Sequence, residues 1–507
     1  MRNFSNEPWP IVAVQMAALA AHAPLLWLAA NTLFRPNLGT AGLLILSIWT
    51  VSMGLVVLLH KLGTARPTAL AMVSILVLAF WHWESLRLPI GGLPVWLTTT
   101  VLVGLLLGAA ISMASGRLFQ LALFVASLTF AVVAATQFLS NNSFRGVSQI
   151  ASTGTTLSAE PGVDLPNIVV VIFDAYARAD VLSTDYDLDN TNFLAGLVEQ
   201  GFVVAERATT NYTVTHLSVS SLLDLEYPLG EGGSLSPADI LALQQMISGD
   251  NATVNSLKAL GYSYVLGPSG FWGTVCTEDV DFCWKTDAGD QTGFELLQGT
   301  PFGSFGAESR VHPNARIALE RLQQFRDWET TTEAWPEQPW IVLVHMPVPH
   351  APLHLDEDCR VNTESYRLGE AMSSDPDSPA DQLARRRNAY VGQLLCTNTI
   401  AQEIVDALDP SDVILLLSDH GPDSRAQSAQ PPSSWTQEAL VERISILAAA
   451  RLPEPCREAF HNDISTVNIL RVAAGCSLGA GLSELPSRYF IADHPYEPIV
   501  EVADPDP

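Results

Sequence analysis

The first 140 residues contain five apolar runs, roughly 11–34, 41–60, 68–83, 95–113 and 118–138, and only two acidic residues, Glu7 and Glu84. No other feature limits the fold so strongly. A run of about 20 apolar residues crosses a bilayer as a helix, because in hydrocarbon each backbone N–H and C=O must be satisfied within the segment. Most of the runs reach that length; the third is short unless Trp81 to Trp83 lie in the interface. A signal peptide is one short run, so five runs predict a multi-pass bundle over residues 1–140. Five spans leave the two ends on opposite sides. With the N-terminus in the cytoplasm, the inside segments carry Arg2, Lys61, Arg66 and Arg117 and the outside loops Arg35, Arg87 and Glu84. That bias agrees with the positive-inside rule and puts the rest of the chain outside the cytoplasm.

Charge divides the chain at the same boundary. Residues 1–140 hold six basic and two acidic residues; the remainder holds 20 basic and 51 acidic, a net of −31. Nucleic acid is excluded as a partner class, since no basic face is available to neutralise phosphates. The only lysines are Lys61, Lys258 and Lys285. So acidic a domain repels anionic surfaces at long range, and an anionic substrate needs a locally placed metal, Arg or His. All six cysteines lie beyond the apolar region. An even number outside the cytoplasm predicts disulfides. The expectation is the local set Cys276–Cys283, Cys359–Cys396 and Cys456–Cys476; a thiolate metal site is the alternative, and no CxxC supports it.

Residues 141–165 are rich in Ser, Thr, Gly and Asn, without helical or strand period, and read as a linker. A domain then runs over 166–507. Ile168 to Phe173 form a continuous apolar run, as in a parallel strand covered on both faces, and end at Asp174. Residues 190–201 read as a helix closing at Gly201, "FVVAERA" as a strand, and "HLSVSSLLDL" as a helix beginning near Thr215. "PWIVLVHMPVPHAP" is a strand running into His345 and His350; 382–408 is a helix; "DVILLLSDHG" is a strand ending in Asp419 and His420. "RISILAAA" reads as a further strand, "DISTVNILRVAAG" as a helix ended by Gly475, and 286–335 as an insertion over the site. Alternation of strands and helices predicts an α/β domain with a mostly parallel central sheet.

Ligand sites in such sheets lie beyond the carboxyl ends of the strands. Asp174, Asp419 and His420 stand there. Adjacent Asp and His offer a hard oxygen and an imidazole nitrogen, a common pairing for zinc or manganese. In "NYTVTHLSVSSLL", a hydroxyl at the first turn of a helix sits among free backbone N–H groups that suit an anionic ester. Metal coordination would make that hydroxyl a nucleophile. The plain alternative is that Thr215 only caps its helix.

In this order, the pieces resemble the alkaline phosphatase and sulfatase superfamily over most of 166–475. The resemblance rests on "VVVIFDAYARADVLSTDYD", "NTNFLAGLVEQGFVVAERATT", "THLSVSSLLDL", "HMPVPHAP", "SDHG" and "NDISTVNILRVAAG". It implies an alkaline phosphatase-like fold, with Thr215 at the nucleophile position and Ser218 at the motif serine. It also implies one divalent metal, manganese or zinc, on Asp174, Thr215, Asp419 and His420. His350 is then expected to hold the phosphate or protonate the leaving group, with His345 and His354 as further substrate-binding residues. A two-metal phosphodiesterase would need a further Asp and His pair, for which His350, His354 and Asp356 are the available residues. Sulfatases need Cys or Ser at the nucleophile for conversion to formylglycine and an Arg four residues on; here stand Thr215 and Val219, which disfavours sulfate esters.

The chain is similar to membrane-anchored phosphoglycerol and phosphoethanolamine transferases, although those often carry Glu where this chain has Asp174. That similarity implies a bacterial-type cytoplasmic (inner) membrane protein, multi-pass, with an extracytoplasmic catalytic domain. The implied reaction transfers a phospholipid head group through a phospho-threonine intermediate to a glycan, lipid or water acceptor. The alternatives are hydrolysis of another phosphate, phosphonate or sulfate ester, and a non-catalytic lipid-sensing scaffold.

Overall fold

The computed structural model describes residues 8–31, 37–82, 104, 124–129, 131–133, 135–136, 148–150, 152, 154–270, 274–286, 291–298, 300–304, 311–362, 380–425, 431–492 and 498–504. The chain divides into two units, Met1–Arg145 with Asp290–Ala307, and Gly146–Gly289 with Glu308–Pro507.

The first unit contains α1 (Trp9–Ala30), α2 (Leu38–Lys61) and α3 (Arg66–Trp81). Pro10 and Pro67 stand in the first turns of α1 and α3, where the fixed φ suits a helix and no N–H is missed. The Asn37 side chain caps α2, accepting from the amides of Gly39 and Thr40 at 2.9 and 3.2 Å. Val12, Met16, Leu19, Val56, Leu70 and Val73 pack between the helices. Leu43, Leu46, Val51 and Leu58 of α2 are exposed. α1 and α2 are long and apolar enough to cross a membrane; α3, at 16 residues, is shorter. The five-span expectation is thus matched here by two such helices. The fourth and fifth expected spans lie outside the described residues save for position 104 and short helical stretches within 124–136.

Part of the expected insertion belongs to this unit. In the helix Gln291–Gln298, Thr292 Oγ1 accepts from the Asn37 amide at 2.9 Å, and Leu296 packs with Leu28 and Ala41. The later part, helix Pro313–Arg326, buries Ala315, Ala318, Leu322 and Phe325 in the core of the second unit. Residues 286–335 are therefore not one insertion over the site: their apolar side chains go into two different cores.

The second unit is built on a seven-stranded sheet in the order β2 (Phe202–Val204), β7 (Ala448–Arg451), β6 (Val413–Leu417), β1 (Ile168–Phe173), β5 (Trp340–Met346), β3 (Ser263–Gly267) and β4 (Phe282–Cys283). β6, β1, β5, β3 and β4 run parallel; β7 is antiparallel to β6 and β2 to β7. Side chains alternate between two buried layers. Ile168, Val170 and Ile172 join the layer beneath the helices Thr215–Asp224 and Thr466–Ser477; Val169, Val171 and Phe173 join the layer against Ala380–Ala407. Two faces buried at once explain why the central strands read as unbroken apolar runs.

Three local expectations differ in detail. "RISILAAA" first ends the helix Gln437–Ile444, and its strand begins only at Ala448. The helix at 466 passes through Gly475 to Ser477, and the left-handed turn falls at Gly479, with φ +73°. The expected linker lies in part on the second unit: Leu157 is buried in its core and the Gln149 amide donates to Asp239 Oδ1 at 2.7 Å. The disulfides are the local set: Cys276–Cys283, Cys359–Cys396 and Cys456–Cys476.

Candidate metal centre

Register brings the site together. Ile172 on β1 pairs with Leu417 on β6 and with His345 on β5. Two residues past the first pairing stand Asp174 and Asp419, at the same level and on the same side of the sheet. His345 faces that side from the third strand. Asp174 Oδ1 lies 3.6 Å from His420 Nε2, and Asp419 Oδ2 lies 3.5 Å from the same nitrogen. Thr215 Oγ1 is 3.3 Å from it. His345 Nε2 is 3.7 Å from Asp174 Oδ2 and 3.9 Å from Asp419 Oδ2.

Thr215 is not the cap of its helix. The N-cap is Val214, in extended conformation, and Thr215 is the first helical residue, so its hydroxyl is available to the site. All ten residues of the helix Thr215–Asp224 are buried, which fixes that hydroxyl in place. Ser218 lies one turn behind, 3.0 Å from Thr210 Oγ1.

The side-chain chemistry fits a divalent cation. Asp174 Oδ1 and Asp419 Oδ2 are buried and make no hydrogen bond among the described residues. Ligands about 2.0–2.2 Å from one tetrahedral ion lie roughly 3.3–3.6 Å from each other, close to the 3.3, 3.5 and 3.6 Å separations around His420 Nε2. His420 Nδ1 faces the Gly421 carbonyl at 3.0 Å. A carbonyl only accepts, so Nδ1 carries the proton and Nε2 presents its lone pair to the site. Among the described residues, Asp174, Asp419 and His420 are the group of three that could hold a metal ion.

Electrostatics agree. Burial, with Asp419 alongside, pushes Asp174 well above the usual carboxylate range. Burial also works against charge on Asp419, but His420 and His345 outweigh it and hold Asp419 low. Burial pushes His420 down to about 3, helped by Arg443, so it is neutral, as a ligand must be. Left to themselves, the two carboxylates keep one charge between them; a divalent cation would let both ionise.

Two supporting residues escaped the sequence reading. Arg443 Nη1 donates at 2.8 Å to the Gly421 carbonyl, the same oxygen that holds His420. Gly421 itself is required by close approach: a Cβ there would stand 1.9 Å from the Glu442 carbonyl oxygen. The only sequence signal for Arg443 is a lone cation at the head of an apolar stretch. Ser269 Oγ lies 2.7 Å from His345 Nδ1, and its placement depends on β3 lying beside β5.

The remaining histidines divide. His350 is half-buried, its ring centroid 6.1 Å from that of His420. His354 stacks on His312 at 5.2 Å. Asp356 caps its own turn, accepting from the amides of Asp358 and Arg360 at 3.1 and 2.8 Å. The second-metal set of His350, His354 and Asp356 is therefore not among the converging groups.

The profile of the sulfatase family matches residues 166–443, more than half of the chain. The chain belongs to the sulfatase family, within the alkaline phosphatase superfamily. No curated protein matches it. Among solved structures, the sulfatase-family fold of this chain is similar to the zinc complex of the C-terminal periplasmic domain of EptC from Escherichia coli. The two are 12% identical over 68% of this chain and 94% of that one, with a TM-score of 0.40. The lipooligosaccharide phosphoethanolamine transferase A from Neisseria meningitidis, an integral membrane protein, is 13% identical over 92% and 95%, with a TM-score of 0.43. The phosphonate monoester hydrolase of Agrobacterium radiobacter is 12% identical over 64% and 80%, with a TM-score of 0.42.

Proposed function

We propose that the protein is a membrane-anchored, extracytoplasmic enzyme that transfers the phospho-head group of a membrane lipid by way of Thr215. The observation that carries this reading is a helix-N-terminal hydroxyl, Thr215 Oγ1, held 3.3 Å from His420 Nε2 beside two buried carboxylates. The two long apolar helices support membrane attachment. The residue itself supports phosphate over sulfate, because threonine cannot become formylglycine.

A divalent metal held by Asp174, Asp419 and His420 would supply the positive charge that lowers the hydroxyl pKa and balances the phosphoryl oxygens. Thr215 Oγ1 gives its proton to solvent water and bonds to phosphorus as the bond to the diacylglycerol oxygen breaks. That oxygen leaves with a proton, and His350 stands beside His420 as its candidate donor. Burial keeps His350 below the ordinary histidine range, so its ring is neutral at rest and takes up a proton before it gives one to the leaving oxygen. His345, anchored by Ser269, faces the carboxylates from β5 and is suited to orient the phosphoryl group. An acceptor hydroxyl or water then takes the phosphoryl group from Thr215, and the freed threonine oxygen regains a proton.

The test is intact-mass spectrometry of the purified full-length protein after incubation with manganese or zinc and mixed phospholipids. The expected result is an added phospho-head group that maps to Thr215, names the donor, and disappears in Thr215→Ala. No adduct and no lipid turnover with either metal would remove the transferase reading and favour a non-catalytic lipid sensor.

A further inference from the structure

The loop that carries His350 is held by one buried amide. Gln393, in the helix Ala380–Ala407, is fully buried. Its Oε1 accepts from the backbone amides of His354 and Leu355 at 2.8 and 3.1 Å. Its Nε2 donates to the carbonyl of His350 at 2.9 Å. One turn further along the same helix, Cys396 is bonded to Cys359, just past the loop. The helix also approaches the loop backbone closely: a Cβ on Gly392 would stand 3.6 Å from the Asp356 Cα.

Backbone polar groups in a buried loop must find partners; this loop, with Pro347, Pro349 and Pro352, leaves the ladder of β5 at Met346 and is bridged at its far end, where Leu355 pairs with Val361. A side-chain amide is the neutral group that offers both a donor and an acceptor from one plane. Gln393 uses both ends at once and spans the loop from His350 to Leu355. Nothing it bonds to is a metal ligand. What it sets is the position of His350, whose ring faces His420.

We propose that Gln393 is a positioning residue of the reaction: it holds the His350 ring at the phosphoryl group to be transferred. The proposal rests on the phosphate-ester reading of the site. Its test uses the full-length, metal-loaded protein in detergent, with Gln393→Leu, which keeps the volume and removes all three bonds, and Gln393→Glu, which keeps the acceptor and removes the donor. Three quantities are read: hydrogen–deuterium exchange of peptides covering 350–358, turnover of bis(p-nitrophenyl) phosphate, and bound metal. In Gln393→Leu, exchange of the loop amides rises and kcat falls about tenfold to a hundredfold, the scale of a small misplacement of a catalytic group. KM and metal content stay near those of the wild type, because Asp174, Asp419 and His420 sit on other elements. Gln393→Glu keeps the His354 and Leu355 amides protected and gives an intermediate rate.

Unchanged exchange in Gln393→Leu overturns the proposal, and so does faster exchange with turnover within about twofold of wild type. Loss of metal in step with rate would reduce Gln393 to a structural role. No turnover by the wild type would sink the phosphate-ester reading and the positioning role with it, while the exchange data would still report whether Gln393 holds the loop.

Discussion

His312 and His354 stack face to face in a buried setting. Burial pushes His354 down to about 4; burial, with His354 and His350 nearby, pushes His312 down to about 3. Both are neutral in the fold, whereas in the unfolded chain they titrate near the ordinary value of about 6.5. Their contribution to stability is therefore fully present above about pH 6.5 and is lost as pH falls from there toward the folded values. Unfolding free energy measured from pH 7.5 to 5 should drop on the acid side, each histidine adding up to about 1.4 kcal/mol per pH unit. His354→Gln should flatten that slope; an unchanged slope would mean the pair is solvated. In sequence Thr215 reads as a nucleophile by resemblance or as a plain cap by position; the N-cap is the extended Val214, and the Thr215 hydroxyl stands 3.3 Å from His420 Nε2.

At the level of elements, the helix Thr466–Ser477 is a test of how the second unit is tied together. It packs against Thr215–Asp224 in the layer beneath the site. Cys456–Cys476 staples it to the segment leaving β7 across a sequence separation of 20. Closing a loop of that size restricts the unfolded chain by about 3 kcal/mol. The double variant Cys456→Ala/Cys476→Ala should lose about that much in urea unfolding and still bind metal. Loss of metal along with stability would mean that the helix also shapes the site. Strands and helices such as Ile168–Phe173, Val413–Leu417 and Thr215–Asp224 are legible because their signals are local: apolar runs with polar ends. The split of 286–335 between two units is not, because nothing local says which core an amphipathic helix will join.

For the whole molecule, a metal held by the carboxylate pair would be a stabiliser. Ligand present at 100 times its Kd adds about 2.7 kcal/mol to unfolding, so chelation should lower the melting temperature and manganese or zinc should restore it. Asp174→Asn removes the carboxyl that burial and Asp419 disfavour. That variant should fail to bind metal, show no chelator effect, and melt no lower than metal-free wild type. A chelator effect that survives in Asp174→Asn would place the ion elsewhere.

The sequence by itself determined the apolar N-terminal region, the acidic α/β domain, the local disulfide pairing and the strand-end positions of Asp174, Asp419 and His420. All of these follow from short-range patterns of polarity and spacing. Tertiary structure decided what those residues face. The pairing of Ile172 with both Leu417 and His345 levels three side chains from strands far apart in the chain, and register is a property of paired strands that neither strand encodes alone. Arg443, Ser269 and Gln393 reach the site by hydrogen bonds to residues 22, 76 and 38 to 43 positions away. Such contacts leave no periodic trace in the sequence; they exist only once the sheet has closed.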